Sequence, residues 1–171
     1  MPTNIEIKAR VADPAGLRAR AQQLSDTPVQ VIAQVDTFFA TQKGRLKLRE
    51  LGPAWGQLVY YERDDRGGPK RSDYRVFETE DVEGLRETLT LALGVRGIVR
   101  KVRSLYLIGQ TRLHLDEVDG LGQFMELEVV LRPGQSDAEG RTIASRLMAE
   151  LGVEEADLLD GAYMDLLEQR G

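Results

Sequence analysis

The sequence predicts an α+β fold in which an antiparallel β-sheet curls into a barrel with a charged lumen and helices packed on the outside. Segments in which apolar and polar residues alternate, as in half-buried strands, recur along the whole chain of 171 residues. Segments with helical apolar spacing stand between them. The polar faces of the strands carry Arg, Lys and paired carboxylates, whereas ordinary wet faces mix Thr, Ser, Gln and Lys. If the helices cover the apolar faces, the charged faces must line the inside.

Length and composition predict one domain over residues 1–171 and exclude several classes of protein. Without cysteine, the chain has no disulfide scaffold, thiolate zinc site or cysteine nucleophile, and its single histidine argues against a histidine-rich metal site. No apolar run approaches the roughly 20 residues needed to span a bilayer, and the first residues lack the apolar core of a signal peptide. We therefore expect a cytoplasmic protein that does not act on membranes.

The charge is unevenly placed along the chain. The net charge of −5 argues against a nucleic-acid-binding protein. Basic residues are nevertheless concentrated in the middle, because residues 43–75 contain nine Lys or Arg against five Asp or Glu, and residues 96–116 contain five against one. An acidic protein with a locally basic middle indicates a contained anion site rather than a basic surface.

Period-2 alternation predicts the strands. In the first of them, Glu6 and Lys8 alternate with isoleucines, which is typical of a strand with one buried face. Glycine-containing turns at residues 109–110 and 119–122 connect the last three strands into an antiparallel meander, and residues 67–69 are predicted to form a loop. In chain order, the strands are predicted at residues 4–11, 29–40, 44–51, 56–64, 72–78, 97–108, 111–118 and 123–131.

Capping residues predict where the helices begin. Asp13, followed by proline, is an N-cap before a first helical turn. Thr79, followed by two acidic residues, is predicted to start the second helix. Ser136 and Glu139 have the spacing of a capping box at the start of the third. A short terminal helix is predicted at residues 161–169.

The same alternation assigns the charged residues to strand faces. One interpretation is a sheet with a solvent-exposed face, as antiparallel sheets often have. Repetition of the pattern over several strands favours a charged lumen, in which clustered cations repel one another and need an anion. A polyanion with a divalent metal would neutralise them, since Mg²⁺ and Mn²⁺ bind carboxylates and phosphates. The residues that share a face are Glu6 with Lys8, Lys47 with Arg49, Lys101 with Arg103, Arg112 with His114 and Asp116, and Glu126 with Glu128.

Several short motifs, in this order along the chain, resemble the CYTH superfamily, the triphosphate tunnel metalloenzymes. Residues 4–8 resemble its Glu-x-Glu-x-Lys signature, with Asn4 in place of the first glutamate. The stretch at residues 103–124 is most similar to bacterial class IV adenylate cyclases. The superfamily also includes thiamine, inorganic and fungal RNA triphosphatases. The later motifs are Leu48-Arg49-Glu50, residues 100–103, residues 112–116 and Glu126-Leu127-Glu128.

The resemblance implies an eight-stranded antiparallel tunnel that binds a small-molecule triphosphate, ATP or tripolyphosphate, with Mg²⁺ or Mn²⁺. A homodimer is a possible assembly, because family members are often dimers. The implied metal ligands are Glu6, Asp116, Glu126 and Glu128, with Asn4 as a neutral amide ligand. The implied phosphate clamps are Lys8, Arg49, Arg63, Lys101, Arg103 and Arg112, to which the face shared with Arg49 adds Lys47, and Arg71 or Arg75 is a further candidate. The catalytic roles are assigned to Lys8, Arg63 and Asp116.

Three functions stay open at this point. In a cyclase, the 3′-hydroxyl of ATP attacks the α-phosphorus and pyrophosphate leaves, whereas in a triphosphatase water attacks the γ-phosphorus. A protein that binds a triphosphate without turnover is the third hypothesis, supported by Asn4, which brings no charge to a metal.

Two single residues are interpreted separately from these functions. His114 is a candidate for contacting phosphate or a base. Tyr163 is interpreted as a core residue.

Overall fold

Eight antiparallel strands close into a barrel in the computed structural model, which describes residues 1–64 and 68–170. The order around the barrel is β1-β5-β4-β3-β2-β6-β7-β8, so the chain's first strand pairs with both its fifth and its eighth. This confirms the predicted fold class. The strands are β1 (Thr3–Arg10), β2 (Gln30–Phe39), β3 (Arg45–Glu50), β4 (Gly56–Arg63), β5 (Lys70–Thr79), β6 (Val95–Ile108), β7 (Thr111–Val118) and β8 (Gly122–Val130).

The pairing of β1 with β8 brings the two ends of the sheet together. In this register Glu6 lies opposite Glu128, and Lys8 lies opposite Glu126. Because successive side chains of a strand point to opposite faces, all four share the inner face of the barrel. Closure therefore places Glu6 beside Glu128, although the two are 122 residues apart in the sequence.

Helices cover part of the outer surface. α1 and α3 pack on the outer faces of β1, β7 and β8, where Leu17 and Leu147 join a buried cluster that includes Leu113 and Leu127. α2 packs on β2 and β3 through a smaller cluster. The helices are α1 (Pro14–Leu24), α2 (Val82–Leu93), α3 (Asp137–Leu151) and α4 (Tyr163–Arg170). In the described part of the chain, no helix is both long and apolar enough to cross a membrane.

The last helix, α4, lies across one end of the barrel. Met164 packs so closely against β6 that a Cβ at Gly97 would collide with its thioether. Arg96 donates hydrogen bonds at 2.8 Å to both Asp165 and Glu168, which ties α4 to the start of β6. These contacts hold the first residue of the helix, Tyr163, against the barrel interior.

The structure corrects the predicted start of the second helix. Thr79 still pairs with Gly56 in the sheet and therefore ends β5. α2 begins after Asp81, whose carboxylate accepts a hydrogen bond from the backbone N–H of Gly84 at 3.0 Å. The prediction that Thr79 starts the helix is thus wrong by two residues, because a better cap follows it.

The predicted capping box of Ser136 and Glu139 at the start of the third helix is confirmed. Of the predicted loop at residues 67–69, residue 67 lies outside the described part of the chain.

Candidate functional site

The barrel encloses a cavity of about 370 Å³, a size typical of small-molecule sites. Among the described residues, seven cations and four carboxylates line it, and a fifth carboxylate, Asp116, accepts hydrogen bonds from Arg103 beside it. The cations are Lys8, Lys47, Arg49, Arg63, Lys101, Arg103 and Arg112. The carboxylates are Glu6, Asp36, Asp116, Glu126 and Glu128. A protein of net charge −5 therefore concentrates a positive excess in its interior, which is the arrangement that attracts an anion.

Three glutamates meet on one wall of the cavity. Glu6 accepts a hydrogen bond from Arg63 at 3.2 Å, and Glu126 forms an ion pair with Lys8 at 3.1 Å. Burial, with the neighbouring Glu128 adding to it, raises the pKa of Glu6 above its usual value. Carboxylates brought this close in a buried site repel one another, and a divalent cation relieves that repulsion.

The group that best fits a metal ion includes a histidine. One ligand atom from each of His114, Glu126 and Glu128 lies within 4.8 Å of the others. Their side chains meet because His114 pairs with Glu126 across β7 and β8. The donor set of carboxylate oxygens and one ring nitrogen suits a divalent cation, so these residues fit the implied metal.

Asn4 lies at the edge of the glutamate group. The residue is 2% exposed, and its amide donates to Glu6 Oε1 at 3.4 Å. Its oxygen, Oδ1, is buried and has no hydrogen-bond partner within the described chain. Asn4 is therefore placed where its oxygen could meet a ligand, although as a ligand to metal it remains a prediction.

Asp116, the predicted fourth acid, is held by other side chains. Arg103 donates to both of its carboxylate oxygens, at 2.8 and 2.7 Å, and the Tyr163 hydroxyl donates to Oδ2 at 2.9 Å. Burial alone would raise the pKa of Asp116, but the charge and hydrogen bonds of Arg103 hold it well below the usual value. The structure thus places Asp116 as a support for Arg103.

Tyr163 combines packing with a polar role that the core interpretation missed. Its ring is 4% exposed and packs 5.3 Å from the ring of Phe124, as expected for a core residue. The ammonium groups of Lys8 and Lys101 lie over the same ring, 3.8 and 4.8 Å from its centre. Together with the hydrogen bond to Asp116, these contacts show that Tyr163 positions the two lysines and the acid beside the cavity. The sequence could not show this role, because it depends on the packing of α4 across the end of the barrel.

Asp36 is the main functional candidate that sequence reasoning missed. It is 1% exposed and accepts two hydrogen bonds from Arg49 at 2.9 Å, while Lys47 and Lys101 lie 3.2 and 3.5 Å from its Oδ2. Burial would raise its pKa, but Arg49 and the two lysines hold it well below the usual value. The sequence did contain a feature that could have marked Asp36 as a candidate, since it is the one acidic residue in the predicted β-strand at residues 29–40.

Burial brings the pKa values of two lysines of the cavity down into the range near neutral pH. Burial, reinforced by neighbouring arginines, lowers the pKa of Lys47 to about 8 and that of Lys101 to about 7. A bound phosphate group would favour the charged form of each. Binding of an anion in this cavity would therefore be coupled to proton uptake by these lysines.

We expect tripolyphosphate binding at pH 8 to take up about half a proton at Lys47, because a group at its pKa is half protonated before the anion arrives. Its contribution to affinity is complete below pH 8 and is lost as the pH rises through the pKa of the bound form. Calorimetry in buffers of different ionisation enthalpy measures the uptake. The Lys47→Arg variant keeps the positive charge without titrating, so an equal uptake in that variant would contradict this assignment.

The end of the cavity away from Tyr163 is largely apolar. Ile32 lies there, six residues from Phe38 on β2 and so about 20 Å along the strand. Gln34 Nε2 is buried beside it without a hydrogen-bond partner within the described residues. The apolar residues at this end are Ile32, Leu51, Val76 and Leu105, and Gln57 and Tyr74 complete the wall. Arg112, whose guanidinium lies 6.0 Å from the centre of the Tyr74 ring, brings a positive charge to the border of this surface.

The two further clamp candidates lie outside the cavity, which corrects that prediction. Arg71 is exposed and donates to Asp73 and Asp137 on the outer surface. Arg75 is also exposed. Both residues have odd numbers on β5, whereas Ser72, an even-numbered residue, faces inward. The period of two excludes both arginines from the lumen.

Comparison with known proteins places the chain among proteins of the same fold. The family model of the CYTH domain matches residues 2–163. A structure from Pyrococcus horikoshii is 25% identical, with a TM-score of 0.84, and the match covers 95% of this chain and 98% of that one. A candidate adenylate cyclase from Vibrio parahaemolyticus is 21% identical, with a TM-score of 0.79 and coverage of 96% and 97%.

A candidate adenylyl cyclase from Hippeastrum, whose dominant activity is that of a triphosphatase, is 15% identical with a TM-score of 0.69. That match covers 99% of this chain and 96% of the plant protein. At this level of identity the likeness concerns the fold. No functionally curated protein matches the sequence significantly.

Proposed function

Because the chain belongs to the CYTH family, we propose that it is a divalent-metal-dependent enzyme that acts on a triphosphate bound inside the barrel. The observation that carries this proposal is the cavity itself, which among the described residues is lined by seven cations and four carboxylates. A triphosphate with its metal carries a net negative charge and would offset that excess. A solvent-exposed charged face, the alternative interpretation, is incompatible with residues such as Lys101 and Arg103, each 4% exposed.

Glu6, Glu126 and Glu128 would hold the metal, Mg²⁺ or Mn²⁺. When bound, the ion supplies charge neutralisation and polarises a phosphoryl oxygen. Glu126 is the centre of this group, because it also contacts Lys8 and lies 3.7 Å from Arg103. It therefore connects the metal-binding wall with the phosphate clamps.

The cations would bind the phosphate oxygens in two ways. Arg49 and Arg103 are already oriented by bidentate contacts with Asp36 and Asp116, so their remaining N–H groups are fixed in direction. Lys101, which lies between the same two acids, offers a point charge. This pre-organisation lowers the cost of ordering the clamps when the substrate binds.

We assign direct catalytic roles to Lys8 and Arg63 and a positioning role to Asp116. Lys8 and Arg63 are paired with Glu126 and Glu6, so they lie where a phosphate beside the metal would meet them. They would stabilise the negative charge that develops on the leaving group. Asp116 would act through Arg103, which it holds in place.

Among the triphosphate chemistries, conversion of ATP to cyclic AMP and pyrophosphate is the one we favour. The apolar end of the cavity gives a nucleobase a surface that tripolyphosphate would leave empty. In this reaction the 3′-hydroxyl oxygen gives up its proton and bonds to the α-phosphorus, while the bond from that phosphorus to the α,β-bridging oxygen breaks. Pyrophosphate leaves with the bridging oxygen, and the proton goes to the pyrophosphate or to water.

The test is one incubation series with Mg²⁺ or Mn²⁺, using ATP and tripolyphosphate as substrates. We expect cyclic AMP and pyrophosphate from ATP. Phosphate release from tripolyphosphate without any cyclic AMP would instead make the protein a triphosphatase. Binding of either compound without a product would leave a binding protein, and Asn4→Glu would then be the first variant to test for restored turnover.

A further inference from the structure

His114 is a buried imidazole with an unused nitrogen. The residue lies on β7, is 4% exposed and lines the cavity. Its Nδ1 is buried and has no hydrogen-bond partner within the described chain. Buried polar atoms are normally paired, so an unpaired ring nitrogen inside a binding cavity points to a ligand.

The groups around Nδ1 are placed to share a metal ion with it rather than to form a hydrogen bond with it. Glu126 Oε2 lies 3.6 Å away and Glu128 Oε1 lies 3.9 Å away, both beyond hydrogen-bond distance. Two ligands about 2.1 Å from one ion lie about 3.0 Å apart in an octahedral site and about 3.4 Å apart in a tetrahedral one. The observed gaps therefore leave room for an ion between the nitrogen and the two carboxylates after a small side-chain adjustment.

We propose that His114 Nδ1 is a metal ligand together with Glu126 and Glu128, and that it makes the site prefer Mn²⁺ to Mg²⁺. This inference rests on the proposed function, since it concerns the same metal site. Mg²⁺ prefers oxygen ligands and gives up its water reluctantly, whereas first-row transition ions accept imidazole nitrogen. A wall of three glutamates alone offers no such discrimination.

The single histidine of the chain makes the ligand directly observable. In the untagged protein, an imidazole ¹⁴N modulation in the pulsed electron paramagnetic resonance of bound Mn²⁺ can come only from His114. We expect that modulation in the wild-type protein without any substrate. This measurement needs neither turnover nor a variant, so it stands even if a substitution at residue 114 prevents folding.

Substitution then tests the preference between metals. In His114→Gln we expect the ¹⁴N modulation to disappear and Mn²⁺ affinity to fall about tenfold or more, while Mg²⁺ affinity, measured by competition, changes less than twofold. Gln34→Ala is the matched control, because Gln34 is equally buried in the cavity but lies on β2. That variant should keep the wild-type ratio of the two affinities.

The outcomes separate this inference from the proposed function. Bound Mn²⁺ without imidazole modulation, or an unchanged affinity ratio in His114→Gln, would overturn the role of His114 and leave the triphosphate enzyme intact. Mg²⁺ binding without any Mn²⁺ binding would likewise overturn the role of His114 alone, whereas a complete absence of binding of both ions, with and without tripolyphosphate, would overturn both proposals. Modulation together with a lowered ratio in the variant supports the assignment.

Discussion

Replacing Glu126 with glutamine is expected to lower kcat/KM by about 100-fold or more. The substitution keeps the shape of the side chain but removes a charge that faces Lys8 at 3.1 Å, His114 at 3.6 Å and Arg103 at 3.7 Å. The metal would lose its central ligand, and the clamps would lose the acid that orients them. Steady-state kinetics with the substrate found in the incubation series measures the effect.

Glu117→Gln is the matched control for this variant. Glu117 lies on the neighbouring strand β7 but is exposed on the outer surface, so the same change of charge should leave kcat/KM within about twofold. Circular dichroism of both variants checks that the barrel is intact. If Glu126→Gln kept half of the wild-type activity, the three-glutamate wall could not be the metal site that we propose.

The Asp36→Asn variant is expected to lose about 3 kcal/mol of the free energy of unfolding, because removing one partner of a buried ion pair leaves the other charges uncompensated. Arg49, Lys47 and Lys101 all depend on this carboxylate. The loss should lie near the low end of the range for buried pairs, since the pKa of Lys101 is about 7 and this lysine can release its proton. For a domain of this length, the midpoint of thermal unfolding should fall by roughly 10 °C.

Tripolyphosphate should restore much of that loss, because its oxygens would supply the missing negative charge. At a concentration 100 times its dissociation constant, a ligand raises the free energy of unfolding by about 2.7 kcal/mol. Asp73→Asn is the control, since the ion pair of Asp73 with Arg71 is exposed and an amide oxygen at residue 73 can still accept the hydrogen bond from the Thr3 hydroxyl, so stability should shift by less than about 1 kcal/mol. An unchanged unfolding midpoint for Asp36→Asn would show that Asp36 is not the counter-charge of these cations.

Much of the charged lumen could be predicted because strand alternation is local. Whether Lys101 and Arg103 share a face depends only on their spacing of two along an extended chain. The same holds for Lys47 and Arg49, and the structure places all four in the cavity. Capping is local as well, which is why Ser136 could be recognised as the start of a helix.

The contacts made by each charged side chain were decided only by the tertiary structure. Asp36 lies on a strand that could be predicted, but its role depends on β3 and β6 arriving on either side of it. Asp116 is held by Arg103 and by Tyr163, and the latter is 47 residues away in the sequence. No local pattern encodes such a distance, because α4 reaches the barrel through packing and long-range ion pairs.

The sequence by itself therefore determined which residues face the lumen and what charge they bring to it. The closed order of the strands decided which of them meet: it placed Glu6 beside Glu128 and brought His114 next to Glu126. The physical reason is that alternation is set by the geometry of one strand, whereas partners are set by the register between strands and by barrel closure.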